Sequence, residues 1–283
     1  MTDDQLRYHT QAKLTRARMV GVRWPTPREI ADWVREAQHD ISLIQNVENQ
    51  DAFTLSYDRH MELGRTLYLK GDSVKEVRNE FVQAASQLEA MFREISATPN
   101  QPASTFNPHA AEVHALEGLV ATLMANDLDA ARRLSTTIQG VLELCEAHDP
   151  PTDERRNFLR TLMHYLDGRT VDTQESLRQS TRSYRNHRLS GMDARTYYFT
   201  LHTVLHGIVE RNANLFNTGL AAHLEFYEWM LRNNGSELDR PVNFICDTAL
   251  ALANLGLAAR LKVWTRHMLL PTTLLGPSHA TRH

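Results

Sequence analysis

Glycine and proline are scarce in this sequence. The 283 residues include 12 glycines and 10 prolines, together about 8% of the chain, against about 12% in ordinary proteins. A β-sandwich or β-barrel needs many turns that contain these residues. The shortage therefore argues against a turn-rich all-β fold and favours a helical one.

Cysteines and long apolar runs are also lacking. Two cysteines, Cys145 and Cys246, cannot build a disulfide framework, and so low a number is typical of a reducing cytoplasm. The most apolar stretch, 249–259, is shorter than the roughly 20 residues that cross a bilayer. The chain opens with MTDD rather than with a cationic and then apolar leader. We expect a cytoplasmic protein with no membrane partner.

The prolines leave three long tracts in which helices can run, 28–98, 109–149 and 152–240, since proline inside a helix costs about 3 kcal/mol. Within the first tract, apolar side chains recur at steps of three and four residues, which is the period of one helix face. The members of this face are Val77, Phe81, Ala85, Leu88, Phe92 and Ile95. Similar faces recur in the other tracts, and no comparable window alternates with period two. The sequence therefore predicts an all-α fold.

Short turns that contain glycine or asparagine join the predicted helices into pairs. Gly71, Asn126 and Gly168 each follow a helical segment, and these residue types readily take the left-handed conformation that ends a helix. After two of these turns a cap begins the next helix: Ser73-Val-Lys-Glu has the capping-box pattern, and Asp127 is a single-residue cap. The spacing is looser than the tetratricopeptide period of about 34 residues. We therefore predict stacked helical hairpins without a strict repeat.

The main interruption of the helical pattern is the polar, proline-containing segment 97–107. Because this segment is short, a surface loop within one stack is favoured over a linker between two domains. We predict a single compact domain over residues 1–283, with 97–107 as a surface loop or a sub-domain boundary.

One histidine pair has a spacing that suits metal binding. His202 and His206 lie four residues apart, and Glu210 follows after another four, so a helix could present two imidazoles and a carboxylate to one ion. With 14 histidines in the chain, such pairs also arise by chance, and His202 lies at the edge of an apolar helix face. The alternative is a helix-flank histidine bonded to a neighbour, and we favour it over a metal site.

Recognisable catalytic motifs are missing from the sequence. It contains no G-x-G-x-x-G, no Walker loop, no G-x-S-x-G and no CxxC, and its glycines stand singly. Neither Cys145 nor Cys246 has an adjacent basic residue that would activate its thiol. We expect no enzyme and no cofactor. A metal-dependent helical enzyme centred on His202, His206 and Glu210 stays open as an alternative.

Acidic residues are concentrated between positions 32 and 62. This segment contains seven acidic side chains and two arginines, a local charge of −5. Such a run is usually the solvated face of a helix, but an acidic face with aromatic neighbours can also dock on a basic partner and select it. On the second interpretation, we predict a partner-binding surface that comprises Asp40, Glu48, Asp51, Tyr57 and Asp58.

Arginines predominate further along the chain, with ten of them against five acidic residues over 155–211. Arg178, Arg182 and Arg185 are helically spaced and Tyr184 is close to them, as an RNA-binding stripe would require. Acidic residues interleave with these arginines, however, and the chain has a net charge of −3 and a pI of about 6.5. The charge distribution therefore argues against a nucleic-acid partner.

Two parts of the sequence carry distinctive packing motifs. Near the carboxyl end, the Ala/Leu-rich segment LALANLGLAARLKV covers 250–263 and is followed by LPTTLL at 270–275. Upstream, GRTLYLKGD at 64–72 leads into an Ala-rich helix. Through these motifs, the stretches 60–95 and 215–275 resemble the immunity protein 49 family of bacterial polymorphic-toxin systems.

The resemblance implies a helical antitoxin that binds one cognate toxin domain and blocks it by covering its active site or substrate groove. It transfers no catalytic residues to this chain. It implies scaffold roles for Gly256, which would allow close helix approach, and for Pro271, which would end the last element. The alternative is a helical-repeat adaptor or regulator with no toxin partner. The identity of the toxin and the oligomeric state stay open.

Overall fold

The described part of the chain is largely helical. The computed structural model describes residues 25–44, 50–97, 108–146, 154–185, 194–233 and 241–276. The α-helices in these segments are α1 (Pro27–Ile44), α2 (Gln50–Lys70), α3 (Val74–Ala97), α4 (Pro108–Met124), α5 (Leu128–Glu146), α6 (Glu154–Leu166), α7 (Thr170–Arg185), α8 (Ala194–Val209), α9 (Ala213–Asn233) and α10 (Asp247–Ala258). Two 3-10 helices cover Pro241–Phe244 and Thr272–Leu274, and no β-strand lies among these residues. The predicted all-α fold is confirmed.

Consecutive helices pack as hairpins, α2 with α3, α4 with α5, α6 with α7 and α8 with α9. In the first two connections, Gly71 has a φ of 93° and Asn126 a φ of 60°, the left-handed conformation that ends a helix. At the end of α2, the N–H groups of Gly71 and Asp72 donate to the Leu67 carbonyl at 3.1 and 3.0 Å. The predicted helical hairpins are confirmed.

Side-chain caps begin α3 and α5. Ser73 Oγ accepts a hydrogen bond from the Glu76 N–H at 3.2 Å, and the Glu76 carboxylate accepts one from the Ser73 N–H at 3.0 Å. Asp127 Oδ1 accepts a hydrogen bond from the Ala130 N–H at 2.8 Å. These bonds satisfy N–H groups that have no acceptor inside the helix, so both helices begin where their caps predict.

Helix α10 lies inside the stack, where it packs on α4, α8 and α9. Residues 249–256 are all buried, as expected for a helix that is apolar on every side apart from Asn254. A Cβ at Gly256 would collide with the ring of Phe216 in α9. Gly256 therefore allows the close helix approach that the family resemblance implies.

After α10, residues 261–276 contain no α-helix and contact α9, α10 and α3; we call this segment, which includes the 3-10 helix Thr272–Leu274, the C-terminal strap. Asn217 of α9 holds its first part. Asn217 Oδ1 accepts hydrogen bonds from the N–H groups of Trp264 and Thr265 at 2.9 and 3.0 Å. Its Nδ2 donates to the Lys262 carbonyl at 2.9 Å. One buried amide thus fixes the path of three successive strap peptides.

The end of the C-terminal strap is held by Asn254 of α10 and Arg78 of α3. Asn254 Oδ1 accepts a hydrogen bond from the Gly276 N–H at 3.0 Å. Arg78 Nη2 donates to the carbonyls of Leu274, at 3.0 Å, and of Gly276. The strap therefore ties α10 and α3 together across the stack.

Pro271, the segment 97–107 and the length of the apolar helices are the subjects of three sequence-based expectations. Pro271 directly precedes the 3-10 helix Thr272–Leu274 and begins this element instead of ending it, because its fixed φ suits a helix start. The loop or boundary predicted at 97–107 lies outside the described residues except for Ala97, where α3 ends. Within the described segments, no helix combines the length and the apolar character that crossing a membrane requires.

Candidate partner-binding face

Acidic side chains lie on adjoining flanks of α1 and α2. The residues in question follow one another at steps of three and four: Glu36, Asp40 and Leu43 on α1, and Asp51, Leu55, Asp58 and Glu62 on α2. Residues at such steps share one side of a helix. Because α1 packs against α2 and an ion pair joins the two rows, the rows form one surface. We call these seven side chains the acidic face.

Arg59 of α2 provides the link between the two rows. Its Nε lies 2.9 Å from the Asp40 carboxylate of α1, and its Nη1 lies 2.5 Å from the Glu62 carboxylate. Although partial burial opposes the charge, Glu62 and Asp40 raise the pKa of Arg59. The guanidinium therefore neutralises part of the charge of Asp40 and Glu62 within the chain itself.

The other three carboxylates of the acidic face belong to Glu36, Asp51 and Asp58. All three residues are exposed, and none of them forms an ion pair within the described residues. Desolvation by neighbouring protein atoms, followed by the charge of the Glu117 carboxylate, raises the pKa of Asp58, and nearby cations such as Arg65 only partly oppose this. A cation of a partner close to Asp58 would favour its charged carboxylate and lower this pKa. In the part of the chain that the structure describes, the acidic face thus presents to another molecule three exposed carboxylates without a direct ion pair.

Two leucines lie among these carboxylates. Leu43 is 54% exposed and Leu55 is 49% exposed, and they are two of six large hydrophobic side chains exposed in the described part of the chain. Protein-binding surfaces combine such apolar contacts with a polar rim. Sequence reasoning missed both leucines, although their spacing from Asp40 and Asp51 places them on the same helix flanks.

The five residues predicted to bind a partner do not all lie on this face. Asp40, Asp51 and Asp58 belong to it. Tyr57 is 5% exposed, and burial, followed by the nearby Glu117 carboxylate, raises its pKa, so its ring is part of the core. The reason is geometric, because neighbouring residues of a helix point about 100° apart. Glu48 lies outside the described residues.

The surroundings of the three candidate metal ligands, His202, His206 and Glu210, differ from those of ligands in a metal site. His202 is 5% exposed. Its Nε2 lies 3.5 Å from Ser180 Oγ, and its ring meets that of Phe158 edge-on with centroids 5.3 Å apart. Glu210 lies on the surface in the turn after α8. Among the described residues, which include His206, no three His, Cys, Asp or Glu side chains are grouped so as to hold a metal ion.

Two buried histidines make the stability of the fold sensitive to acid. Burial and, to a smaller extent, the charge of His206 lower the pKa of His202 to about 3. Burial lowers the pKa of His223 to about 3 as well. An unfolded histidine has a pKa of about 6.5. The unfolded chain therefore takes up protons that the folded chain does not, and stability is lost as the pH falls from about 6.5 towards about 3.

Between pH 6.5 and pH 4.5, we expect each of these histidines to remove on the order of 2 kcal/mol from the free energy of unfolding. Denaturant titrations at the two pH values measure this loss. A His202→Gln variant should lose about 2 kcal/mol less than the wild-type protein over the same interval, whereas His39→Gln, which changes an exposed residue of α1, should not. An equal loss in wild-type protein and His202→Gln would contradict the expectation.

Cys246 lies directly before α10 and is fully buried. Burial raises the pKa of its thiol to about 12, so the reactive thiolate is not populated at neutral pH. This agrees with the sequence, in which Cys246 has no adjacent basic residue that would activate its thiol. The side chain of Cys145 lies outside the described residues.

The features that bear on function are the acidic face and the sequence motifs. The likeness to the immunity protein 49 family rests on the stretches 60–95 and 215–275 alone. In comparisons with known proteins, the chain matches no protein-family model, no curated protein and no solved structure.

Proposed function

We propose that this chain is a cytoplasmic immunity protein, an antitoxin that binds a cognate bacterial toxin domain and covers its active site or substrate groove. The observation that supports the proposal most directly is the acidic face, where exposed carboxylates share the helix flanks with two exposed leucines. The resemblance to the immunity protein 49 family supplies the kind of partner.

The acidic face has the composition of a protein-docking surface. A partner that covers Leu43 and Leu55 removes apolar area from water, at roughly 25 cal/mol per Å². Glu36, Asp51 and Asp58 attract a basic surface, speed the encounter with it and repel acidic competitors. The toxin domain should therefore present lysines or arginines around an apolar contact.

Joint expression with the product of the gene directly upstream tests the proposal. We expect the two proteins to purify as a stable complex, and we expect the chain to restore growth of cells that make this product. The absence of both binding and rescue would contradict the immunity function. A helical-repeat adaptor with no toxin partner would then explain the fold better.

Reversing the charges of Asp51 and Asp58 together should weaken toxin binding by about tenfold or more at moderate salt. Two attractive contacts with a basic surface become repulsive in the Asp51→Lys, Asp58→Lys variant. Titration calorimetry measures the dissociation constant. The difference between the variant and the wild-type protein should shrink as added salt screens the charges.

A matched control reverses two exposed carboxylates elsewhere, Asp129 of α5 and Glu175 of α7. This variant has the same net charge as the first one but leaves the acidic face intact, so its affinity for the toxin should stay close to that of the wild-type protein. Unchanged binding by the Asp51→Lys, Asp58→Lys variant, or an equal loss in the control, would show that the toxin binds elsewhere.

A further inference from the structure

A polar groove of about 910 Å³ lies on the side of α1 opposite the acidic face. Its walls come from α1, from the α2–α3 turn and the beginning of α3, and from the α4–α5 turn. The side chains of α1 that line it are Val34 and Gln38, which point away from Glu36 and Asp40 because residues two apart lie on opposite helix sides. The volume lies in the range of small-molecule sites, roughly 300–1,000 Å³.

The acidic side chains of the groove are each engaged by a near neighbour. Asp72 lies 3.0 Å from Lys70 Nζ, and Glu80 Oε2 lies 2.8 Å from His60 Nδ1. Glu76 is bonded within the capping box at the start of α3, where the helix dipole favours negative charge. All three carboxylates keep their charge in these contacts, but none of them forms an ion pair with the remaining cations of the groove.

The remaining cations are Lys75 and Arg78 of α3, and neither has an acidic partner in the described residues. Lys75 is exposed, whereas Arg78 is 7% exposed. Arg78 Nη2 bonds the carbonyls of Leu274 and Gly276. Its Nε is buried without an acceptor, and no hydrogen bond to a described residue uses Nη1.

A buried guanidinium that no negative charge offsets is unfavourable. Burial accordingly lowers the pKa of Arg78, and the strap carbonyls contribute dipoles but no counter-charge. Lys75 and Arg78 are three residues apart on one helix, so their side chains lie on the same side of α3 and line the groove together. One oxyanion in the groove can contact both.

We infer that this groove binds a small molecule through an anionic oxygen group, a phosphate or a carboxylate, held between Lys75 and Nη1 of Arg78. The amide side chains of Asn79 and Asn126 supply further polar contacts in the groove, and Val82, 37% exposed, supplies an apolar one. The site is separate from the acidic face and does not depend on a toxin partner.

Inorganic phosphate and acetate serve as the two probes of this site. Each is titrated into the full chain at an ionic strength held constant with sodium chloride, and binding is followed by the unfolding temperature and by calorimetry. Saturable binding of phosphate alone identifies a phosphate group as the ligand chemistry, and saturable binding of acetate alone identifies a carboxylate. Binding of both supports the shared oxyanion chemistry. No saturable effect of either probe beyond that of chloride would overturn the inference.

Substitutions of Lys75 test whether binding occurs in the groove. Lys75→Ala should weaken binding of the active probe by about fivefold to tenfold, and Lys75→Glu should abolish it, because charge-assisted contacts are lost or reversed. Since Lys75 is exposed, both variants should unfold at the wild-type temperature without probe. Lys262→Ala, which changes an exposed lysine of the C-terminal strap, should bind like the wild-type protein. Equal affinity of the wild-type protein and Lys75→Glu would overturn the inference.

Discussion

Replacing Arg156 by alanine should lower the free energy of unfolding by about 3–5 kcal/mol. Arg156 of α6 forms an ion pair through Nε with Glu112 of α4, and the two side chains are 6% and 1% exposed. Glu112 Oε2 already has no hydrogen-bond partner among the described residues. Without Arg156, a carboxylate would stay in the core with no adjacent counter-charge, which is far more costly than the loss of a surface contact. Denaturant titration at neutral pH measures the change.

Two further variants test whether the buried pair of Arg156 and Glu112 contributes more to stability than an exposed ion pair does. Arg132→Ala breaks a contact with Asp129 in which the side chains are 54% and 80% exposed, and it should cost less than about 1 kcal/mol. The double variant Glu112→Leu, Arg156→Met should recover most of the loss, because no buried charge then lacks a partner. If Arg156→Ala costs no more than Arg132→Ala, the buried pair does not contribute to holding α6 on α4.

Gly207→Ala should destabilise the fold by about 3 kcal/mol, at the upper end of the usual range for overpacking. Helices α8 and α9 approach closely at Gly207. A Cβ there would lie 2.5 Å from Phe216 Cα and 2.8 Å from Phe216 Cβ. Because the nearest atoms belong to the backbone of α9, no change of side-chain rotamer can relieve the contact, and the two helices must separate.

Replacing Gly140 by alanine should change the stability in the opposite direction. Gly140 lies inside α5, and a Cβ there would meet nothing within 4 Å. Alanine should therefore stabilise the protein by about 0.5–1 kcal/mol, since it restricts the unfolded chain more than glycine does. Thermal and denaturant unfolding of both variants give the comparison. A wild-type unfolding midpoint for Gly207→Ala would contradict the close crossing of α8 and α9.

The features that depend on a few neighbouring residues were predictable from the sequence. The capping box at Ser73 and the left-handed turns at Gly71 and Asn126 are each decided within about one helical turn. The apolar face of α3 follows from its spacing, and Val77, Phe81 and the members after them are buried except for Ile95, which is partly buried at the helix end. Local chemistry therefore predicts the hairpins well.

The contacts that position the hairpins join residues far apart in sequence. Arg65 of α2 pairs with Asp247 of α10, and Arg78 reaches the Leu274 carbonyl, yet no spacing rule connects such residues. The same limit of prediction from local spacing applies to the acidic face. Sequence predicts the exposed carboxylates, but whether Tyr57 or Leu55 faces solvent depends on which sides of α2 its neighbours cover.

The C-terminal strap bears on how the protein unfolds. In an open solenoid, each repeat contacts only its neighbours, so one end can fray while the rest stays folded. Here, release of residues 261–276 would remove strap backbone partners from Asn217 of α9, Asn254 of α10 and Arg78 of α3, and a polar group that stays buried without its partner costs about 1–3 kcal/mol. Local opening at this end is therefore costly throughout the stack. The strap should give a chain of helical hairpins the all-or-none cooperativity of a closed domain.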